Sequence, residues 1–327
     1  MNPTSWYSVS IRRGVRTAAG VALALSLFTI NAPVAAQGGT SDEHWVGTWA
    51  TAVVARPQER PGSPQTPPQL DFSNQTLRQI VHVSLGGERI RVVLSNAFGT
   101  APLKVGAAQI ALRADGEAIV PASSRVLTFG GHQTTSIAAG SVVFSDPVSL
   151  ALPALAELAI DLFLPGDTAA STSPLTTHTA AHQTNYVSTT GNYVGQSELP
   201  IETTALSWFF LSRVEVAAPE HVGAIVLLGD SITDGSGTTD DTNNRWPDHL
   251  ARRLNEENIE MGVLNLGIGG NRLLTDGMGT SALARFDQDV LIQSGATHLV
   301  VMEGINDIGM AQNEFGLPRP KRAPTSA

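Results

Sequence analysis

Residues 224–231 read AIVLLGDS, and this stretch decides the fold of the C-terminal part of the chain. Its first five residues are all apolar, which is typical of a strand in a parallel sheet covered on both faces. Two further apolar runs follow, VLNL at 263–266 and LVVM at 299–302. Because the segments between the runs have apolar residues at helical spacing, the pattern predicts a β-α-β-α-β unit with a parallel sheet and right-handed crossovers.

Two helices are predicted between these strands. In the first, Trp246, Leu250 and Leu254 share one helical face, and the proline at 247 suits a first helical position. The apolar positions of the second helix are Leu283, Phe286, Val290 and Leu291.

Before Pro219 the apolar residues recur with a period of two instead. From about residue 76 to 216, short alternating runs are separated by Gly, Pro and Asp, which predicts an all-β sandwich of jelly-roll type. The runs 81–85 and 90–94 flank a Gly-Gly pair and predict a β-hairpin. The predicted fold class is therefore α/β, with an N-terminal jelly-roll-like β-sandwich followed by a partial flavodoxin-like domain with a parallel sheet.

Composition excludes several classes of function. The chain has 327 residues, 42% of them hydrophobic and 15% charged, with a net charge of −9, so it can form two apolar cores but offers no basic face for nucleic acid. Because there is no Cys, disulfides, thiolate metal sites and a Cys nucleophile are excluded. No His/Asp/Glu cluster has metal-ligand spacing, and the loop at 267–270 lacks a Gly-x-Gly-x-x-Gly pattern, so we expect neither a metal nor a nucleotide cofactor.

The first 36 residues have the parts of a signal peptide. Arg12, Arg13 and Arg16 precede an apolar run at 17–30, and small residues lead to a predicted cleavage site after Ala36. The apolar run is about 14 residues long, which is short of the roughly 20 that span a bilayer. The sequence predicts a secreted or periplasmic protein with no stable membrane anchor after cleavage, exported by either the general or the twin-arginine route.

Each of the three C-terminal strands is followed by an unusual loop. The loops read GDSITDG at 229–235, GIGGNR at 267–272 and EGIND at 303–307. Because ligands bind at the carboxyl ends of the strands in an open parallel sheet, all three loops are expected on one rim. Ser231 offers a nucleophilic hydroxyl, while the glycines of the second loop and Asn306 offer N–H donors for an oxyanion. Each loop alone is more often a turn or a helix cap, but the three together indicate acyl transfer.

These loops resemble the three sequence blocks of the GDSL/SGNH hydrolase family, over about residues 219–315. The resemblance implies that Ser231 is the nucleophile and first oxyanion donor, Gly270 the oxyanion glycine and Asn306 the oxyanion asparagine. It implies a serine esterase that cleaves carboxylic esters through an acyl-enzyme, including acetyl esters of carbohydrates, without a cofactor. The β-rich part resembles the accessory sandwich of some secreted, often carbohydrate-active members. Phospholipid and thioester substrates stay open.

One part of the family pattern is missing from the sequence. The family's general base is a His in an Asp-x-x-His segment, and none of the eight histidines follows an Asp at that spacing. His249 is the least unsuitable substitute. Three strands are visible where a doubly wound domain has about five, and residues 316–327 lack any periodicity. We therefore expect a C-terminally truncated hydrolase domain without the catalytic His and Asp.

The predicted organisation has four parts: a signal peptide at 1–36, a β-sandwich domain at 37–218, an incomplete SGNH hydrolase domain at 219–315 and a disordered tail at 316–327. The expected partner is a small-molecule or carbohydrate ester. The alternative is a non-catalytic secreted carbohydrate-binding protein with a remnant hydrolase domain. That alternative requires exposed aromatic residues on one face of the sandwich, and only 6% of residues are aromatic.

Overall fold

The computed structural model describes residues 43–55, 71–172 and 174–309. The predicted signal peptide, the proline-rich segment after residue 55 and the predicted tail lie outside the described residues. Within the described ranges, most of the regular structure is β-sheet and helices are few. None of the described helices combines the length and the apolar character that crossing a bilayer requires.

We call residues 43–218 the N-terminal β region and residues 219–309 the C-terminal region. The strands of the N-terminal β region are β1 Trp45–Ala50, β2 Val54–Ala55, β3 Ser73–His82, β4 Gly87–Ser95, β5 Leu103–Val105, β6 Ala107–Leu112, β7 Arg125–Val126, β8 Thr135–Ile137, β9 Val142–Phe144, β10 Val148–Leu152, β11 Glu157–Asp167, β12 Thr176–Thr179, β13 Asn185–Thr190, β14 Ile201–Ala205, β15 Ser207–Phe209 and β16 Leu211–Ala217. A 3₁₀ turn at Pro121–Ser123 and helix α1 at Thr168–Ser171 interrupt them.

Two antiparallel sheets form most of the N-terminal β region. One has the order β1-β16-β4-β10, with β9 also paired to β4, and the other has the order β14-β13-β3-β11-β6-β7. Smaller sheets are β15-β12-β2 and β5-β8. Apolar residues from both large sheets, such as Val92 of β4 and Ile160 of β11, belong to one buried cluster. Two sheets that share one apolar core are the arrangement that a β-sandwich requires.

The predicted β-hairpin around Gly86-Gly87 is wrong. The strands on either side, β3 and β4, lie in different sheets: β3 pairs with β11 and β13, whereas β4 pairs with β16, β10 and β9. The connecting residues Val83 and Leu85 are buried in the core cluster. Alternation shows that a segment is a half-buried strand, but it does not determine which strand lies beside it.

The C-terminal region contains strands β17 Gly223–Gly229, β18 Met261–Gly267 and β19 Ala296–Met302, with helices α2 Ser231–Asp234 and α3 Trp246–Glu256. The three strands are parallel, in the order β18-β17-β19. The predicted parallel sheet and its first helix are confirmed. A second-first-third strand order is also the beginning of the flavodoxin-like order.

The second predicted helix is not a regular α-helix. Turns at 282–285 lead into a short π-helix at Asp287–Leu291. Of the predicted apolar positions, Val290 is buried and Phe286 packs on the core, but Leu283 and Leu291 are exposed. The inner side of this segment is instead occupied by the buried ion pair of Arg285 with Asp289. The spacing of the apolar residues does not reveal that these two charges are buried. The sequence therefore predicts the wrong inward-facing side for this segment.

The two regions share one hydrophobic core. Val46 of β1 and Leu264 of β18 are both fully buried in the main cluster. The backbones approach closely here, because a Cβ at Gly262 would collide with the carbonyl oxygen of Gly47. Gly47 N–H also donates to Ser294 O at 3.0 Å. The N-terminal β region therefore packs directly against the parallel sheet.

The strand β19 has a neighbour on one side only among the described residues. Its apolar residues Leu299, Val301 and Met302 are exposed, as is Ile305 just after it. An edge strand with exposed apolar side chains is prone to association with other chains.

Candidate active site

The three predicted loops start at the same level of the parallel sheet. In the strand register, Gly229 at the end of β17 lies beside Gly267 of β18 and beside Met302 of β19. The loops are also joined by backbone hydrogen bonds, from Ile268 N–H to Gly229 O at 3.0 Å and from Asp230 N–H to Met302 O at 3.2 Å. The loops therefore lie side by side on one rim, as the sequence predicts.

Ser231 is the first residue of the short helix α2, immediately after β17. Asp230 caps this helix, with its carboxylate accepting from Ile232 N–H at 3.0 Å. Ser231 is half-buried, and its N–H has no acceptor among the described residues. First-turn N–H groups lack an intrahelical partner, so this N–H is free to donate to a ligand.

Gly270 lies in the turn after β18. Its φ of +71° is in the left-handed region, and a Cβ at this position would lie 2.8 Å from Met278 Cγ. The turn is closed by Asn271 N–H, which donates to Ile268 O at 3.1 Å. Within the described ranges the Gly270 N–H has no protein acceptor. Glycine is therefore required here both for conformation and for close approach of a ligand to the backbone.

The third loop is tied to the second through its side chains. Asn306 Nδ2 donates to Asn271 O at 2.8 Å, and the Asp307 carboxylate oxygens accept from Leu273 N–H at 3.1 and 3.0 Å. Because an amide NH₂ has two hydrogens, Asn306 can hold the second loop and still donate to a ligand.

The structure thus places Ser231, Gly270 and Asn306 on neighbouring loops of one rim, and their catalytic roles remain predictions. No cluster of three or more metal-ligating side chains occurs among the residues that the structure describes.

No described histidine forms a hydrogen bond with the Ser231 hydroxyl, and the described ranges include all eight histidines of the sequence. His249, the substitute considered from the sequence, is exposed on α3, and its Nδ1 lies 2.9 Å from Arg252 Nη2. The structure therefore provides no His base beside the predicted nucleophile.

The structure does pair one histidine with helix α2, which begins at Ser231, and sequence reasoning missed this pair. His178 of β12 is buried, with Nε2 3.0 Å from Asp234 Oδ1 and Nδ1 2.7 Å from Ala52 O. Asp234 is the last residue of α2. Both ring nitrogens of His178 are thus occupied, so it cannot accept the Ser231 proton. The only sequence signal is Asp234 itself, the second Asp of GDSITDG.

Two buried carboxyl groups lie behind the rim. The side chain of Glu303, just after β19, is fully buried; burial raises its pKa to about 7, against the opposing effect of Arg285. Burial also raises the pKa of Asp289, although Arg285 Nη1 donates to it at 2.7 Å. One oxygen of Glu303, Oε2, has no hydrogen-bond partner among the described residues.

Exposed aromatic residues are scarce in the described part of the chain. Phe144, at 41%, is the one aromatic residue there in the exposed class, and the guanidinium groups of Arg91 and Arg213 lie over its ring at 4.8 and 5.6 Å. The described residues of the N-terminal β region therefore show no cluster of exposed aromatic side chains.

Comparison with known proteins identifies one matching family. Residues 227–320 match the model of the GDSL-like lipase/acylhydrolase family. No curated protein sequence matches the chain significantly.

Among solved structures, a family two carbohydrate esterase from Cellvibrio japonicus is 15% identical, with a TM-score of 0.21 over 82% of this chain and 66% of that chain. A family two carbohydrate esterase from Clostridium thermocellum in complex with cellohexaose is 14% identical, with a TM-score of 0.21 over 72% and 59%. The chain thus spans less than two thirds of their length.

The segment from 227 to 320 contains all three predicted loops. The resemblance of these loops to the GDSL/SGNH hydrolases is therefore confirmed by the match of this segment to the model of the GDSL-like lipase/acylhydrolase family.

Proposed function

We propose that this protein is a carboxylic ester hydrolase with Ser231 as its nucleophile. One observation carries the proposal: Ser231, Gly270 and Asn306 lie on adjacent loops, and the first two have N–H groups without a protein acceptor in the described structure. A hydroxyl surrounded by preorganised N–H donors is suited to acyl transfer, because the tetrahedral intermediate carries a negatively charged oxygen.

In the proposed mechanism, Ser231 Oγ forms a bond to the ester carbonyl carbon. The carbonyl oxygen becomes an oxyanion that accepts hydrogen bonds from the N–H groups of Ser231 and Gly270 and from the Asn306 amide. The bond to the alkoxy group then breaks, and the proton lost by Ser231 leaves with the alcohol. Water attacks the acyl-enzyme, releases the carboxylic acid and restores the serine.

The described residues include no histidine that bonds to Ser231. We propose that solvent accepts the Ser231 proton at the site that these residues form. Sites that lose a triad member retain a residual acceleration of roughly 10³–10⁴ over water from binding and the oxyanion hole. We expect slow, Ser231-dependent ester hydrolysis.

The test measures p-nitrophenyl acetate hydrolysis by the protein and by Ser231→Ala, with and without added imidazole as a soluble base. Ser236→Ala is the matched control, since Ser236 is an exposed serine that directly follows the same loop. The parent and Ser236→Ala should show equal turnover that imidazole increases, while Ser231→Ala should show only the background of imidazole itself. Equal rates for Ser231→Ala and the parent would refute the proposal.

The finer parts of the proposal concern substrate, architecture and export. Acetyl esters of carbohydrates are the proposed substrates. The experiment compares the rate of hydrolysis of an acetylated oligosaccharide with that of p-nitrophenyl esters of longer acids.

We also propose that the two large sheets form a jelly-roll-like sandwich at 37–218, preceding a hydrolase domain at 219–315. Export to the periplasm or the medium is proposed from the predicted signal peptide at 1–36.

A further inference from the structure

Arg285 is buried behind the rim, although no motif includes it. Its side chain is 3% exposed, in the turn before the π-helix. It donates to the backbone at Gly229 O (3.0 Å) and Leu266 O (2.7 Å). It also donates twice to Asn271 Oδ1, at 3.0 and 2.9 Å, and once to Asp289 at 2.7 Å.

The partners of Arg285 include one residue from each of the three loops. Gly229 precedes Ser231 by two residues, Asn271 directly follows Gly270, and Glu303, whose Oε1 lies 3.4 Å from Arg285 Nη2, begins the loop that contains Asn306. One planar group thus connects the ends of three parallel strands.

Asn271 extends the connection to the third loop. Its backbone oxygen accepts from Asn306 Nδ2 at 2.8 Å, while its side-chain oxygen accepts from Arg285. Movement of Asn271 would therefore displace both Gly270 and Asn306. The five N–H donors of a guanidinium have a rigid planar geometry that an ammonium group cannot reproduce, so Lys cannot replace these contacts.

We propose that Arg285 is a positioning residue of the ester-hydrolysing site, holding the Ser231, Gly270 and Asn306 loops in the relative placement that the oxyanion requires. This inference rests on the proposed function. A buried charge network is weak support for stability, because apolar replacement of such networks is often neutral or stabilising. The contacts of Arg285 instead indicate that it fixes the relative placement of the loops.

The chain offers a matched control in Arg78. It is fully buried in the N-terminal β region. Its guanidinium forms bidentate hydrogen bonds to the Asp161 carboxylate, at 2.7 and 2.8 Å, and also donates to two backbone oxygens. Arg78→Lys removes a comparable set of buried hydrogen bonds away from the rim, so it separates general destabilisation from misplacement of the loops.

The experiment measures kcat, KM and the urea midpoint for the parent, Arg285→Lys, Asn271→Ala and Arg78→Lys, with imidazole present. A misplacement of about 1 Å can cost about 10²-fold in rate. We expect kcat to fall at least about tenfold for Arg285→Lys and Asn271→Ala, with KM within about twofold. Arg78→Lys should lower the urea midpoint and leave kcat unchanged. Asn271→Ala keeps the backbone oxygen and tests the same connection should Arg285→Lys fail to fold.

The two proposals fail in different ways. Absence of Ser231-dependent turnover in the parent would refute the hydrolase and, with it, the role of Arg285. Parent turnover combined with an unchanged kcat in folded Arg285→Lys or Asn271→Ala would overturn the positioning role alone. An equal loss of kcat in Arg78→Lys would also overturn it, because the effect would then be general destabilisation.

Discussion

Two of the His–Asp contacts among the described residues permit a direct measurement of how burial changes the free energy that such a contact contributes. His178–Asp234 and His182–Asp240 both have a nitrogen–oxygen distance of 3.0 Å. The side chains of the first pair are 5% and 6% exposed, whereas those of the second are 18% and 43% exposed. The perturbation is the same substitution in each pair, His178→Asn and His182→Asn. Asn is chosen because His182 has a φ of +50°, which Asn tolerates.

The expected magnitudes differ severalfold. His178→Asn leaves the buried Asp234 carboxylate or the Ala52 carbonyl without a partner, because the shorter side chain cannot reach both. Breaking a buried pair by removing one partner costs about 3–5 kcal/mol. His182→Asn should cost at most about 1 kcal/mol, as exposed pairs do.

Urea unfolding, followed by far-UV circular dichroism and by tryptophan fluorescence, measures the difference. Trp208 reports on the buried pair, since its ring lies 5.6 Å from that of His178. With an m-value on the order of 3 kcal/mol/M, the midpoint should fall by about 1–1.7 M for His178→Asn and by less than about 0.3 M for His182→Asn. Equal shifts of the urea midpoint in His178→Asn and His182→Asn would refute the reasoning. They would show that burial does not strengthen the contact by which His178 joins the two regions.

Three further predictions concern the rim. In the presence of imidazole, Asn306→Ala should cost about 3 kcal/mol of transition-state stabilisation, measured mainly as a lower kcat; a change in KM alone would show that Asn306 only binds substrate. Gly270→Ala should lower the free energy of unfolding by about 1–2 kcal/mol because of its positive φ, and adding Met278→Ala should not restore it, since Met278 is exposed and can move. The Glu303 pKa is raised from 4.5 to about 7, so its contribution to stability is full below pH 4.5 and is lost as the pH rises through 7. The free energy of unfolding should therefore fall by up to about 3 kcal/mol between pH 4.5 and pH 7. Glu303→Gln should reduce this pH dependence, and the same pH dependence in Glu303→Gln and the parent would contradict the prediction.

Much of the rim could be predicted because its determinants are local in the chain. The apolar run before Ser231 identifies a strand buried on both faces, and the residues that follow each such strand necessarily share the carboxyl edge of a parallel sheet. The order of the loops along the chain therefore predicted that Ser231, Gly270 and Asn306 lie together, and the registers of β17 with β18 and β19 bring their loops to one level.

The errors have two causes: a strand's partner can be distant in sequence, and charged residues can be buried. The pattern around Gly86-Gly87 predicted a hairpin because alternation identifies strands without identifying their neighbours. The second predicted helix was misassigned because Arg285 and Asp289 are buried as a pair, and charged residues are expected on the exposed side.

By itself, the sequence determined the parallel sheet, the three loops and their resemblance to the GDSL/SGNH hydrolases, because a strand period and a loop motif are properties of consecutive residues. Only the tertiary structure decided how the loops are held. His178 and Asp234 are separated by 56 positions, and Arg285 and Gly229 by the same number. Such contacts form because buried carboxylates and backbone oxygens require donors once water is excluded, and the packed chain determines which donors lie within reach.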